Sequence, residues 1–287
     1  MSRIAYVNGR YLPYAEAGVH IDDRGYQFGD GVYEVCEIRD GALIDETRHL
    51  ARLERSLAAL EIKAPRSLTA LRFIMREVAA RNRVRDGMVY IQATRGVARR
   101  DHGFPDPGTT PGLVVTAKAI DRRIGDARAA MGVRVIVTKD LRWARPDIKS
   151  LQLLPNVLAK QAARERGAYE AWLLDANGDI TEGASTNAWI LTAAGVLVTR
   201  QADQAILRGV TRTTLLALLA GEGLRFEERA FSLDEAYGAR EAFLTSAVNI
   251  VMPVVAIDDK LIGDGRPGPL ALSLRGKFHG FAEVSSA

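Results

Sequence analysis

Four short stretches carry residues whose types and spacing suit chemistry. The first, DIKSLQLLPNVLAKQ at 147–161, sets Lys149 between an acid and a serine, ahead of an apolar run and a proline. An exposed lysine, with a pKa near ~10.4, is protonated and a poor nucleophile. Partial burial or a neighbouring cation frees its lone pair, and a free amine condenses with an aldehyde to an imine. Arg142 and Arg145 upstream and Leu151, Leu153 and Leu154 downstream push in that direction. Without such neighbours a lysine near a strand end is simply a solvated charge. Lys160, in the same stretch, falls in a helix among polar residues and reads as surface.

The second stretch, ITEGASTN at 180–187, places Glu182 before glycine and small hydroxyl residues. A carboxylate in such a bend could hold a protonated ring nitrogen and make the ring an electron sink; a surface turn acid is the plainer alternative. The third, ILRGVTRTTLL at 206–216, runs from a glycine into a helix start with threonines in its first turn. Free N–H groups and the helix dipole make Val210 and Thr211 an anion site, and ordinary capping by Thr211 fits as well. The fourth, LTSAVN at 244–249, is a small-residue loop with hydroxyls at Thr245 and Ser246.

These stretches need elements to hold them. IAYVNG and GVYEVCEIRDGALI read as strands, the latter a hairpin at Asp40-Gly41. Leu50, Leu53, Leu57 and Leu60 form one helical stripe; a second helix over about 68–83 turns Leu71, Ile74, Met75 and Val78 inward, with Ser67 as N-cap. MVYIQATRG and GLVVTAKAI are strand-like. The polar stretch 121–130 lacks a clear apolar face and reads as a linker. Beyond it, GVRVIVT, a hairpin at Asn177-Gly178 and NAWILTAAGVLVTR are strands, and helices are expected at about 155–166, 211–220, 232–239 and 268–283. SLDE, with Ser232 and Glu235, has capping-box spacing. The expectation is a mixed α/β chain: a smaller N-terminal domain over 1–120, a linker over 121–126 and a larger domain over 127–287 that carries Lys149.

Composition narrows the classes. Of 287 residues 47% are apolar, enough for a sizeable core. The net charge of +4 comes from basic residues interleaved with acids, so no nucleic-acid partner is expected. No apolar run approaches a membrane span and the N-terminus has no secretory pattern, so a cytoplasmic protein is expected. The single cysteine, Cys36, lies mid-strand and reads as a small buried hydrophobe. No metal-ligand cluster is evident.

RGYQFGDGVYE (24–34), TRG…RRDHGFP (94–105), DIKSLQLLPNVLAKQ, YEAWLLD…TEGASTN (169–187) and ILRGVTR (206–212), in this order, resemble the class IV pyridoxal-phosphate-dependent aminotransferases, nearest their bacterial D-amino-acid branch. The resemblance implies the two-domain α/β fold of that class, with pyridoxal 5′-phosphate at the domain interface, and ping-pong transfer between a D-amino acid and a 2-oxo acid. It makes Lys149 the Schiff-base lysine and proton shuttle, and Glu182 the acid on the pyridine nitrogen. Arg52, in HLARL, would bind phosphate. Leu207 would pack on the ring; Val210, Thr211, Ser246 and Ala247 would complete the cofactor site, Ala247 through its N–H. Tyr33, Arg100 and His102 would trap the substrate carboxylate, the last two supplied across a homodimer. Without the resemblance, His102 in a Gly/Pro-rich loop reads as a surface histidine.

The resemblance leaves rivals: a branched-chain L-amino-acid or (R)-amine transaminase, an aminodeoxychorismate lyase of the same family, and, more distantly, a protein with a vestigial site. Strand alternation also puts Tyr33, Val35 and Glu37 on one face, with Glu37 expected at a pocket rim, where it would disfavour acidic substrates.

Overall fold

The computed structural model describes residues 3–221 and 223–285. It divides into two compact units, Met1–Asp121 with Ile148–Gln152 and Glu283–Ala287, and Arg122–Asp147 with Leu153–Ala282.

The first unit is built on a seven-stranded antiparallel sheet. Strands β1 (Ile4–Val7) and β2 (Arg10–Pro13) precede the short helix α1 (Arg24–Phe28). Then come β3 (Gly31–Arg39), β4 (Ala42–Ile44), α2 (Glu46–Ala59), α3 (Leu68–Arg81), β5 (Gly87–Thr94) and β6 (Gly112–Ala119). The sheet order is Val284–Ser285, β4, β3, β5, β6, β1, β2. The β3–β4 turn has φ 52° at Asp40 and 90° at Gly41, the left-handed pair that suits strand twist in a two-residue hairpin. Leu50, Leu53 and Leu57 of α2 and Leu71, Ile74, Met75 and Val78 of α3 pack with Val32, Cys36, Val89, Ile91 and Val115 in one core, the stripes read from sequence. Cys36 is fully buried, as expected. Ser67 caps α3, its Oγ accepting from the Ala70 N–H.

Glu37 departs from its expected place. It shares the alternation of Tyr33 and Val35, but at 7% exposure it is buried beside Met88 across the ladder rather than at a rim.

The second unit opens with α4 (Arg122–Met131), where the sequence suggested a linker. Arginine, alanine and methionine favour helix without making an apolar stripe; only Ala129 is buried, and Asp126 pairs with Arg275 at 2.8 Å. Then come β7 (Val133–Lys139), α5 (Leu154–Glu165), β8 (Glu170–Leu174), β9 (Ile180–Gly183), β10 (Asn187–Leu191) and β11 (Leu197–Thr199). Helix α6 (Val210–Leu219), β12 (Phe226–Glu228), α7 (Leu233–Tyr237), β13 (Glu241–Ser246), β14 (Ile250–Ile257), β15 (Lys260–Leu261) and α8 (Pro269–Phe281) complete it. The mixed sheet runs β12, β11, β10, β13, β14, β7, β8, β9, with β15 beside β14.

The hairpin at Asn177-Gly178 joins β8 to β9 through a tight loop over 175–179, closed by Asp175 N donating to Asp179 O at 3.0 Å and Gly178 N to Asp175 O at 3.1 Å. Asp175 Oδ1 accepts from Asn177 N and Asp179 N at 2.9 and 3.1 Å, and within it only Gly178 has a positive φ. At α7, Ser232 accepts from Glu235 N at 3.1 Å, but the Glu235 carboxylate turns to Arg229, so the capping box is half made.

The span 127–287 is not one unit: residues 148–152 and 283–287 cluster with the first. The reason is backbone pairing. Tyr33 N donates to Lys149 O and Leu151 N to Gly31 O, both at 3.0 Å, so the lysine segment lies as an extended piece along the start of β3.

Candidate active site

In the first unit, the pairing with β3 fixes the backbone at Lys149, and Ile148 anchors the segment in the core. The half-buried Lys149 Nζ donates to the Tyr33 hydroxyl at 3.2 Å and sits 4.2 Å from the ring centroid. Tyr33 stacks on Tyr90 at 5.7 Å. Tyr90, its pKa pushed up to about 12 by burial and then by Tyr33, donates to Gln92 Oε1 at 2.8 Å. The two arginines read as neighbours of Lys149 are engaged elsewhere, Arg145 with Asp147 and Arg142 with Asp140 and Glu182.

Arg52 is buried on α2, its Nε and Nη2 donating to Glu34 at 2.6 and 2.8 Å, and His49 Nδ1 lies 2.8 Å from the same carboxylate. Burial alone would raise the Glu34 pKa; the Arg52 charge and the bonds from Arg52 and His49 outweigh it and hold it at about 2. Arg100 and His102 are exposed and gather on Phe28, the arginine 4.9 Å and the imidazole 5.5 Å from its ring.

In the second unit, Glu182 lies next to last in β9 under several constraints. Its Oε1 takes the Arg142 guanidinium and the Leu207 N–H at 3.0 Å, and its Oε2 accepts from Asn187 Nδ2 at 2.9 Å. Asn187 Nδ2 also donates to Leu207 O at 3.0 Å. Arg142 is oriented by Asp140, and burial, which would lower its pKa, is outweighed by Glu182 and Asp140, so it stays firmly cationic. Helix α6 follows the N-cap Gly209, which has no side chain to accept from the first N–H groups; Val210 and Thr211 are buried in its first turn. Gly209 is required there: a Cβ would stand 2.0 Å from Asn187 Oδ1. Ser246 ends β13, its Oγ accepting from Asn249 Nδ2 at 3.0 Å, and Ala247 follows in the turn. That turn closes on Ile250 with φ 58°, a costly conformation for a β-branched residue.

Sequence reasoning missed three participants. Asn187 closes the TEGASTN motif, and an amide donor five residues past the acid was the available signal. Arg24 and Asp30 lie in RGYQFGDG and join the loop of Arg100 and His102. Among the described residues there is no cluster of three or more potential metal ligands, and no helix is long and apolar enough to cross a membrane.

An amine held against tyrosines and a carboxylate locked by arginine and asparagine are separate devices. The amino-transferase class IV model matches residues 31–257, and the chain belongs to that family. Within it, the chain is similar to the D-alanine aminotransferase of Bacillus licheniformis, 42% identical over 268 residues and covering 93% of each chain. It is 37% identical to that of Staphylococcus haemolyticus, covering 98% of this chain and 99% of the other. Among solved structures, Escherichia coli branched-chain amino acid aminotransferase matches in fold with TM-score 0.89 at 24% identity, over 98% of this chain and 94% of that one. The T.th. branched-chain amino acid aminotransferase with pyridoxamine 5′-phosphate matches with TM-score 0.88 at 25% identity, over 99% and 98%.

Proposed function

We propose that the protein is a pyridoxal-phosphate-dependent transaminase that moves an amino group between a D-amino acid and a 2-oxo acid. The observation that carries this reading is the Lys149–Tyr33 pair, a half-buried amine held by a phenol in a chain 42% identical to a D-alanine aminotransferase.

The donor set fits the cofactor. Glu182 is a fixed carboxylate for a ring nitrogen, the uncapped start of α6 offers N–H groups to a phosphate, and Thr186 Oγ1 is buried in the TEGASTN turn without a hydrogen-bond partner. When bound, the cofactor withdraws electrons from the substrate Cα. Lys149 would hold the cofactor through its amine and, once released, would serve as the base that moves the substrate Cα proton. Glu182, paired with Arg142 and aimed by Asn187, would face the ring nitrogen. Leu207 would pack on the ring, and Val210, Thr211, Ser246, the Ala247 N–H and Arg52, oriented by Glu34, would hold the phosphate. Tyr33, Arg100 and His102 fix the substrate carboxylate, and so decide which enantiomer presents its Cα–H to Lys149.

Arg100 and His102 come, on this reading, from a second copy, so the active form is a homodimer. Helix α5 supports this: Leu154, Val157 and Leu158 recur at helical spacing and are each more than half exposed, an apolar face that a partner would cover. The buried thiol of Cys36 suits a reducing cytoplasm.

Borohydride reduction of the purified enzyme followed by peptide mass analysis should place the cofactor label on Lys149. D-alanine and 2-oxoglutarate should then react faster than L-branched amino acids or (R)-phenylethylamine. A label elsewhere, or preference for the L-substrates, would overturn the reading.

A further inference from the structure

The loop that presents Arg100 and His102 is exposed, polar and rich in Gly and Pro, yet its two substrate-facing residues need fixed positions. A buried arginine pair grips it. Arg24, 3% exposed on α1, donates through Nη1 to the carbonyl of Asp101, the residue between them, at 2.6 Å. Its guanidinium lies 4.8 Å from the Phe28 ring, on which Arg100 and His102 also rest. Arg95, 8% exposed just past β5, stacks 3.8 Å from the ring centroid of Phe104, two residues beyond His102. Arg95 also donates to the carbonyls of Leu60 and Glu61, just past the end of α2, at 2.7 and 2.9 Å.

One carboxylate holds both. Asp30 Oδ2 accepts from Arg24 Nε and from Arg95 Nε, each at 2.8 Å, and Oδ1 accepts from Arg95 Nη2 at 3.0 Å. Its backbone repeats the grip: Asp30 N donates to Arg24 O at 3.3 Å and Arg95 N to Asp30 O at 3.1 Å. Two desolvated guanidinium groups sharing one acceptor would repel each other without its charge.

We propose that Asp30 is a positioning residue for substrate-carboxylate recognition, which by holding Arg24 and Arg95 fixes the loop that carries Arg100 and His102. Neither buried arginine needs to touch substrate. The inference rests on the transaminase reading, and it assigns a role to the Asp30 of RGYQFGDG, the residue just before β3.

The test compares wild type with Asp30→Asn, Asp30→Glu and Arg24→Lys as holoenzymes. Loss of one charge-assisted contact predicts that Asp30→Asn raises KM for D-alanine about tenfold while kcat stays within about twofold. The borohydride label at Lys149 should persist at wild-type yield. An activity-free readout is limited trypsin digestion: cleavage after Arg99 or Arg100 should quicken on the order of tenfold, tracking the looser loop. Arg24→Lys, which keeps the charge but loses the fork, should show the same split, and Asp30→Glu should restore part of both. Unchanged loop cleavage with unchanged KM would overturn the proposal, and so would a fall in kcat with loss of the label. If wild type carries the label but does not turn over D-alanine, the proposed function fails, while the loop-cleavage comparison still judges Asp30.

Discussion

Lys149 Nζ lies 3.2 Å from the hydroxyl of Tyr33 and 4.2 Å from the centroid of its ring. One tyrosine therefore both accepts a hydrogen bond from the amine and shields it from water. Because Tyr33 N is bonded to Lys149 O, the two side chains start from paired backbones and their meeting is set by strand register.

Tyr33→Phe keeps the ring and removes the acceptor. A hydrogen bond to a charged group contributes roughly 1.5–3 kcal/mol, so kcat/KM for D-alanine should fall on the order of tenfold to a hundredfold. The Lys149 label should survive. Steady-state kinetics beside the borohydride yield check this; an unchanged kcat/KM would mean the hydroxyl is idle.

Asn187 and Gly209 should behave as a unit. Gly209→Ala drives a methyl to 2.0 Å from Asn187 Oδ1, and such overpacking costs about 1–3 kcal/mol. Asn187→Ala takes donors from Glu182 Oε2 and Leu207 O, a loss of about 1–3 kcal/mol. In the double variant the methyl has room, so the combined loss should fall short of the sum by about 1 kcal/mol. Denaturant midpoints of the four proteins close the cycle.

Glu34 should make stability acid-sensitive. Its folded pKa of about 2 lies below the ordinary 4.5, so its stabilisation is complete above pH 4.5 and drains away as pH falls towards 2. At neutral pH, Glu34→Gln leaves Arg52 buried without its carboxylate and should cost about 3–5 kcal/mol. The gap between variant and wild type should narrow across the acid window. Thermal melts from pH 7 down to pH 3 measure it, and a constant gap would contradict the ion-pair account.

Leu158→Glu places a charge in the exposed stripe of α5. Sedimentation should show wild type as a dimer and the variant shifted to monomer, with turnover lost in step because Arg100 and His102 would no longer reach a neighbour. A monomeric wild type that is fully active would reject the shared-site arrangement.

Periodic residues were the legible part of the fold. The leucines of α2 and α3 and the turn at Asp40-Gly41 could be read directly because burial and left-handed φ leave marks in residue type. Helix α4 escaped because its hold is propensity and one buried alanine, not a stripe. The family motifs brought Lys149, Glu182 and Arg100 forward, but not Arg24, Asp30 or Asn187. Those three act through contacts across 77, 65 and 20 residues of chain, to the Asp101 carbonyl, the Arg95 guanidinium and the Leu207 carbonyl, and a linear pattern does not display such pairings.

The first unit takes a strand segment from residues 148–152 and its outer strand from 284–285, which pairs with β4. A nascent chain that has released only its first 121 residues therefore lacks both the lysine and the edge of its own sheet. That unit waits for the intervening span to be synthesised before it can close, a slow, long-separation step that leaves β4 open meanwhile. The Lys149 amine can therefore meet Tyr33 only once a stretch of chain 116 residues further on has been released.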